Sequence, residues 1–476
     1  MNFKSSAIFC VIVFIGLLAL SAFSFAAYLV PGISRVVLWL IVLSAFIISL
    51  KRIDYGLYIM LAELAVGGYG HLFVADGISL RVGLFFALLT ALVINLFLKM
   101  YQAQVRPGST GMLPYAFLTL GLAVILGLTV GMTQNSWPLV ILDGNAWLFF
   151  LLWPAYWQAT GRERFWQNIF PILLTASAFL SLKTIFTLII FSHHFTDSSG
   201  TFYQWLRDAG LGEITPMSGN LFRVFFQSQI YCLLAFFVVL AWLLLRPNLS
   251  RRQFLAAGFY LYLTGLAIVI SQSRSFWLGG LAGIFLLLWL IAWWGKKKLT
   301  YVFLAGLALA VMIASQFLAV SLLSGSYFGN RFANLQAEPA SVSRLNQLEP
   351  LTSAIASSPF FGHGFGKTLT YVSHDPRILA RNPEGLFTTF AFEWGYLDIA
   401  LKIGGLGLGL YLFLIASIAF IGLKNMKSSK SHDCYLSAGL LAALTALVVT
   451  NFFSPYLNHP LGINYLMLIA AYYGRK

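Results

Sequence analysis

The residues with chemical potential in this sequence are a few charged side chains set in polar turns. Arg223 lies in Ser218-Gly219-Asn220-Leu221-Phe222-Arg223-Val224-Phe225-Phe226-Gln227-Ser228-Gln229, and Arg274 in Ser271-Gln272-Ser273-Arg274-Ser275-Phe276-Trp277. A guanidinium fork binds phosphate oxygens in a bidentate way and needs no metal to do so. Either arginine alone reads equally well as interfacial snorkelling; the pair, among Ser, Gln and Asn, reads as an anion site. Arg344 follows Ser343 in a later loop. Beyond it, Gly362, Gly364 and Gly366 flank His363, and His374 stands in Ser373-His374-Asp375-Pro376-Arg377. The glycines allow tight turns and close approach to a ligand. They neither follow a strand nor open a βαβ unit, so they give no nucleotide signature. Each histidine is titratable, with a structural role as the plainer reading. Glu393 lies in Phe392-Glu393-Trp394-Gly395-Tyr396-Leu397-Asp398. If 386–400 is helical, Thr389, Glu393, Tyr396 and Leu397 share one face. A carboxylate on that apolar face would be partly desolvated, which raises its pKa and suits it to general-base work. The alternative is a structural pair with Lys402 or a loop arginine.

The elements that must carry these residues follow from composition. The chain has 476 residues, 59% hydrophobic and 9% charged, with a mean hydropathy of +0.82. Soluble domains carry about 25% charged residues, so this chain cannot coat a water-exposed surface. It reads as an all-α polytopic membrane protein with about twelve to fourteen spans. The qualifying apolar runs are 7–27, 36–50, 54–73, 80–98, 113–131, 144–160, 166–191, 222–245, 255–271, 275–294, 300–323, 403–422, 434–452 and 460–473, each near the ~20 residues a spanning helix needs. The first run reads as an uncleaved helix rather than a signal peptide, because further spans follow at once. Cys10, Cys232 and Cys434 form no CxxC pair or framework, so no zinc site or disulfide is implied.

Basic residues set the orientation. Lys4, Lys51-Arg52, Lys99 with Arg106, Arg162 with Arg164, Arg246 with Arg251-Arg252, Lys296-Lys297-Lys298, Lys424 with Lys427 and Lys430, and Arg475-Lys476 all fall on one side of a fourteen-span chain. The positive-inside rule makes that side cytoplasmic, with both termini there. Most of the formal charge of +15 therefore reports topology and not a nucleic-acid partner. The long connections 192–221 and 324–384 land outside, and 385–401 extends the second as an interfacial or re-entrant segment. The chain reads as one membrane domain, 1–476, whose large extracytoplasmic loop covers 324–401 and ends in an interfacial helix. Its active face is extracytoplasmic. Arg35 and Arg81 read as structural anchors, the latter near Glu63, His71 and Asp76, whereas Lys183 is a cation within a span whose partner the sequence does not name.

Taken in order, Arg223-Val-Phe-Phe-Gln-Ser-Gln, Ser271-Gln-Ser-Arg274, Ser343-Arg344, Ser358-Pro-Phe-Phe-Gly362-His-Gly364-Phe-Gly366 and Glu393-x-x-Tyr396-Leu397 before Gly404 resemble the O-antigen ligase and polymerase superfamily. Glu63-Leu-Ala-Val-Gly-Gly with Ile78-Ser-Leu-Arg81, and Ser454-Pro-Tyr-Leu-Asn-His-Pro-Leu-Gly462, are also similar to members of it. The resemblance covers most of the chain and is densest over 220–410. It implies a GT-C-like helical fold and a metal-independent, inverting glycosyltransferase without a cofactor. Such an enzyme moves a glycan from undecaprenyl pyrophosphate to a hydroxyl of a glycan or glycolipid acceptor, at the outer face of the bacterial inner membrane. Carried over, Arg223 and Arg274 hold the donor pyrophosphate and Arg344 supports them. Ligases of the family often place a histidine three residues before the Tyr-Leu pair as base. Here that position is Glu393, so either the base is Glu393, His363 or His374, or the chain performs a variant reaction. The competing class is a transporter or flippase of anionic or lipid-linked solutes, with the arginines lining its path. The sequence shows no inverted repeat of the kind many transporters carry, and its polar residues gather at one face.

Overall fold

The apolar runs fold as helices, which satisfy their backbone hydrogen bonds internally where lipid offers no partner. The computed structural model describes the chain except residues 1–2, 102–110, 198, 218, 247, 294–297, 326–338, 429–431 and 476. Arg106, Lys296, Lys297, Lys430, Lys476, Ser218 and part of the 324–401 loop thus lie outside the described residues. In chain order the first helices are α1 Phe3–Leu29, α2 Pro31–Lys51, α3 Ile53–Val66, α4 Leu80–Tyr101, α5 Met112–Gln134 and α6 Trp137–Gly144. Next come α7 Trp153–Thr160, α8 Glu163–Ser192, α9 Thr201–Asp208, α10 Ile230–Leu245, α11 Arg251–Ser271 and α12 Arg274–Trp293. The last are α13 Leu299–Ser324, α14 Pro339–Ser357, α15 Pro376–Leu379, α16 Gly395–Ser428, α17 His432–Thr450 and α18 Pro460–Gly474. Three antiparallel hairpins decorate the loops: β1 Val74–Ala75 with β2 Ile78–Ser79, β3 Gly212–Pro216 with β4 Phe222–Phe226, and β5 Leu369–Val372 with β6 Leu386–Thr389.

Ten helices among the described residues are long and apolar enough to cross a bilayer, or eleven if the bent pair Trp137–Gly144 and Trp147–Thr160 is one span. The three remaining apolar runs form the shorter helices α3, α17 and α18, of 14, 19 and 15 residues. The difference from fourteen has a packing cause. Every residue of α18 from Pro460 to Tyr473 is buried, and a helix that is apolar all round and enclosed by protein need not match the bilayer thickness. Helices α10, α12 and α17 pack together beside it. By contrast α1, α2 and α13 bury few of their residues within the protein, as lipid-facing helices do.

Ion pairs, some buried and some exposed, tie the bundle together. Asp54 receives Arg52 at 2.6 Å and Arg162 at 2.5 Å, which brings two of the basic clusters to one end of the bundle. The buried Arg81 and Glu63 form a two-bonded fork at 2.9 and 3.0 Å, and Arg35 pairs with Asp76. Both arginines are therefore anchors, as expected. Lys183 lies 4.8 Å from the ring centre of Trp205 and 5.5 Å from that of Phe226, so aromatic faces meet its charge.

The glycine-rich segment has a structural purpose that its spacing did not disclose. Helix α16 breaks at Gly404, whose φ is 70°. The break leaves carbonyls of Leu401 and Lys402 open, and the N–H groups of His363 and Gly364 donate to them at 2.7 and 3.1 Å. On the other side Phe365 N–H donates to Gly127 O of α5, and the Asn135 side chain donates to the carbonyls of His363 and Phe365 at 2.9 Å. The glycines approach backbone, not a ligand. Beneath them Lys402 Nζ lies 2.5 Å from Asp143 and 2.7 Å from Asp398, all three nearly fully buried. A Cβ at Gly404 would run into the backbone of Phe360 and Phe361. Gly404→Ala is therefore expected to destabilise the protein by more than ~1 kcal/mol, because alanine also disfavours a positive φ; thermal unfolding in detergent reads this as a lower midpoint.

Candidate functional site

Two sequence expectations need correction before the site can be assembled. Residues 222–226 are not the start of a span but strand β4, and the spanning segment begins at Gln227. Residues 386–400 are not one helix: 386–389 pair as β6, and α16 begins at Gly395. Thr389 and Glu393 consequently share no helical face, and Glu393 sits in the loop just ahead of α16. The physical cause is β5, whose register Leu369↔Thr389 through Val372↔Leu386 draws the segment into a hairpin.

Arg223 projects from β4, opposite Thr215 of β3. Its Nε donates to Ser271 O at 3.0 Å, and its guanidinium lies 5.0 Å from the centre of the Phe225 ring. Arg274 is the first residue of α12. The turn ahead of it is tight because Gln272 takes a left-handed conformation, φ 48°. Hydroxyls brace this turn: Ser273 Oγ is 3.0 Å from Ser275 Oγ, which is 2.8 Å from Ser454 Oγ. The N-terminus of a 20-residue helix adds its own positive end to the arginine.

Arg344 and Glu393 meet across the loop. Arg344 Nε is 3.0 Å from Glu393 Oε2, an ion pair whose N–H is not aimed along the contact. Ser343 Oγ donates to Glu393 Oε1, and the Glu393 N–H donates to Gln347 Oε1, each at 3.0 Å. Trp394 Nε1 donates to Arg344 O at 2.8 Å. Helix α14 thus grips both sides of the carboxylate. Of the two structural partners considered for Glu393, the loop arginine is the one present; Lys402 is engaged with Asp143 and Asp398.

These groups converge. Arg223, Arg274, Arg344 and Glu393 line one open cavity of about 440 Å³. His363 and His374 do not line it. The ring of His363 bonds to Ala354 O at 2.8 Å and Ser357 Oγ at 3.1 Å, and the exposed His374 contacts Asn346 at 3.3 Å. The cavity also holds residues that the sequence reading did not single out: Glu213 on β3, Tyr69 from the loop after α3, Gln227, and His459 from the loop before α18. His459 sat within a family-like motif, but nothing in its spacing tied it to Arg223. Desolvation, reinforced by the charge of Arg81, pushes His459 down to about 3. Partial desolvation by its packed surroundings and the nearby Glu213 charge raise the Tyr69 phenol. The cavity is therefore mixed in charge: three guanidiniums and a helix N-terminus line it together with the carboxylates of Glu213 and Glu393 and neutral polar side chains.

A multi-pass helical membrane protein with a guanidinium-lined cavity is the class that fold and site define. Over residues 259–412 the chain matches the family model described as O-Antigen ligase, a match that supports the O-antigen ligase and polymerase superfamily. No curated protein matches the chain. The matched segment contains Arg274, Arg344 and Glu393, whereas Arg223 reaches the cavity from outside it.

Proposed function

We propose that this protein transfers a glycan from undecaprenyl pyrophosphate to a hydroxyl acceptor at the outer face of the bacterial inner membrane. The acceptor is a lipid-core sugar if the protein is a ligase and the growing polysaccharide if it is a polymerase. The observation that carries this reading is the convergence of Arg223, Arg274, Arg344 and Glu393 on one cavity, within a chain that matches the O-antigen ligase family model. The basic loop clusters support a reading in which both termini are cytoplasmic, by the positive-inside rule, and the cavity opens on the opposite face.

In the proposed reaction Arg223 and Arg274 clamp the pyrophosphate, and the N-terminus of α12 adds to the field. The acceptor oxygen attacks the anomeric carbon as the bond from that carbon to the pyrophosphate oxygen breaks. The bonding pair leaves on the pyrophosphate, where fixed donors stabilise the growing charge. Glu393 takes the acceptor's proton, and a single displacement inverts the anomeric centre. Arg344 bridges the two halves: pairing with an arriving pyrophosphate would draw it off Glu393 and leave the carboxylate free to act as base.

Because guanidiniums supply the cationic charge, transfer by the reconstituted protein is expected to persist in EDTA. Strict dependence on an added divalent ion, read from product formation with lipid-linked glycan, would sink this mechanism. The same assay with defined acceptors separates ligase from polymerase by product, and from a transporter by the formation of any product.

A further inference from the structure

The part of the cavity at the Gly212–Phe226 end of the β3–β4 hairpin has a chemistry of its own. Tyr69, Glu213, Gln227 and His459 line it, and the mechanism above uses none of them. We infer that this end is a sugar-binding subsite, in which Glu213 accepts a hydrogen bond from a ring hydroxyl and the Nε2–H of His459 donates one to a sugar oxygen. The inference rests on the function proposed above and names the part of the glycan that the site grips.

Charge excludes the pyrophosphate from this end. Glu213 pairs with Phe225 and Thr215 with Arg223 in the β3–β4 register. Glu213 and Arg223 are therefore diagonal neighbours on one face of the hairpin, about 7–8 Å apart. An anion held by Arg223 is repelled by a carboxylate one step along. A hydroxyl is not, because an ionised carboxylate only accepts hydrogen bonds and an O–H supplies one. The step is of the size of one sugar ring attached to the phosphate.

The subsite is built rather than accidental. Tyr69 N–H donates to Gly210 O at 2.8 Å, and Gln227 Nε2 donates to the Tyr69 hydroxyl at 2.9 Å. Gln227 N–H donates to Leu211 O, and Tyr456 OH donates to Gln227 O, each at 3.0 Å. Three separate loops are thereby locked together, with Tyr69 half-exposed as an aromatic surface and its ring edge-on to His459 at 5.6 Å. His459 caps α18: its Nδ1 accepts the Leu461 N–H at 3.3 Å. In a neutral imidazole that acceptor role leaves the proton on Nε2. His459 is thus a hydrogen-bond donor at the cavity and not a base, which leaves proton abstraction to the other end.

Two variants test the subsite with the full-length protein. His459→Asn keeps an acceptor to cap α18, asparagine being a preferred cap residue, but removes the Nε2–H. Glu213→Gln removes the charge and keeps the shape. The probes are bare undecaprenyl pyrophosphate, the lipid-linked glycan pool extracted from cells lacking this protein, and the acceptor fraction of the same cells. Binding of the bare lipid should stay within about twofold of wild type. Affinity for the lipid-linked glycan, or the KM for the acceptor fraction, should weaken about three- to tenfold in His459→Asn and about ten- to a hundredfold in Glu213→Gln. A change in the first quantity assigns the subsite to the donor sugar; a change in the second assigns it to the acceptor sugar. If neither moves, or if bare-lipid binding falls equally, the subsite is overturned. Wild-type protein that binds neither lipid overturns the proposed function itself, a separate and recognisable failure.

Discussion

Arg274→Ala is expected to lower the glycan-transfer rate by roughly 10²–10³, the loss typical when a fixed donor to developing negative charge is removed. The size follows from where the residue stands. Arg274 opens α12, so its guanidinium and the helix N-terminus act on the same point. The turn holding it is braced by the Ser273, Ser275 and Ser454 hydroxyls, so little reorganisation is needed as charge builds. Arg274→Lys restores the charge without the fork, and its rate should fall between alanine and wild type. Arg35→Ala is the control, since that exposed side chain pairs with Asp76 away from the cavity and should leave the rate unchanged. Initial rates with reconstituted protein and lipid-linked glycan decide it. An Arg274→Ala rate within threefold of wild type would remove Arg274 from the donor site.

Glu393→Gln is the second large effect, expected at roughly 10²–10⁴ in rate, the range for a positioned general base. Glutamine keeps the shape, can still accept from Ser343, and leaves the backbone bond to Gln347 in place. What it loses is the ability to take a proton and the pairing with Arg344. Donor binding should therefore stay near normal while transfer fails, and measuring both on one preparation separates a chemical defect from a folding one. Survival of full activity would pass the base role to His363 or His374. Their surroundings argue against that outcome: the His363 ring is bonded to Ala354 O, and His374 faces outward beside Asn346. His374→Ala is accordingly expected to transfer at close to the wild-type rate.

Much of the site was legible because its residues are expensive where they stand. Arg274 interrupts two long apolar runs in a turn too short to be anything but tight, and the left-handed Gln272 supplies that turn. Arg223 was legible by type but not by element. The five residues of β4 abut an apolar run, and hydropathy alone does not separate a short strand from the helix after it. Glu393 was placed on the wrong element for a related reason. The partner of β6 lies fourteen residues upstream at its nearer end (Val372 to Leu386), so the hairpin leaves no local turn signal. Glu213, Tyr69 and His459 could not be grouped from sequence, because they come from β3 and two distant loops that tertiary contacts bring together. The number of long spans fell below fourteen where helices such as α18 are enclosed by protein, a matter of neighbours rather than of composition.

The interlocked glycine segment bears on how the chain is made. Asn135 of the α5 end bonds to carbonyls at His363 and Phe365, separated from it by 228 and 230 residues. Asp143 Oδ2 accepts the Gly366 N–H across 223 residues, while Asp143 also meets Lys402. The bonds to residues 363–366 must wait for that segment, and the Asp143–Lys402 pair must wait for α16, both made long after α5 and α6. In the interval the Asp143 carboxylate must wait for its lysine, in an aqueous or assisted setting. Assembly of this region is therefore a late, concerted docking step, and chains released before residue 402 should be recognised by membrane proteases as unfinished.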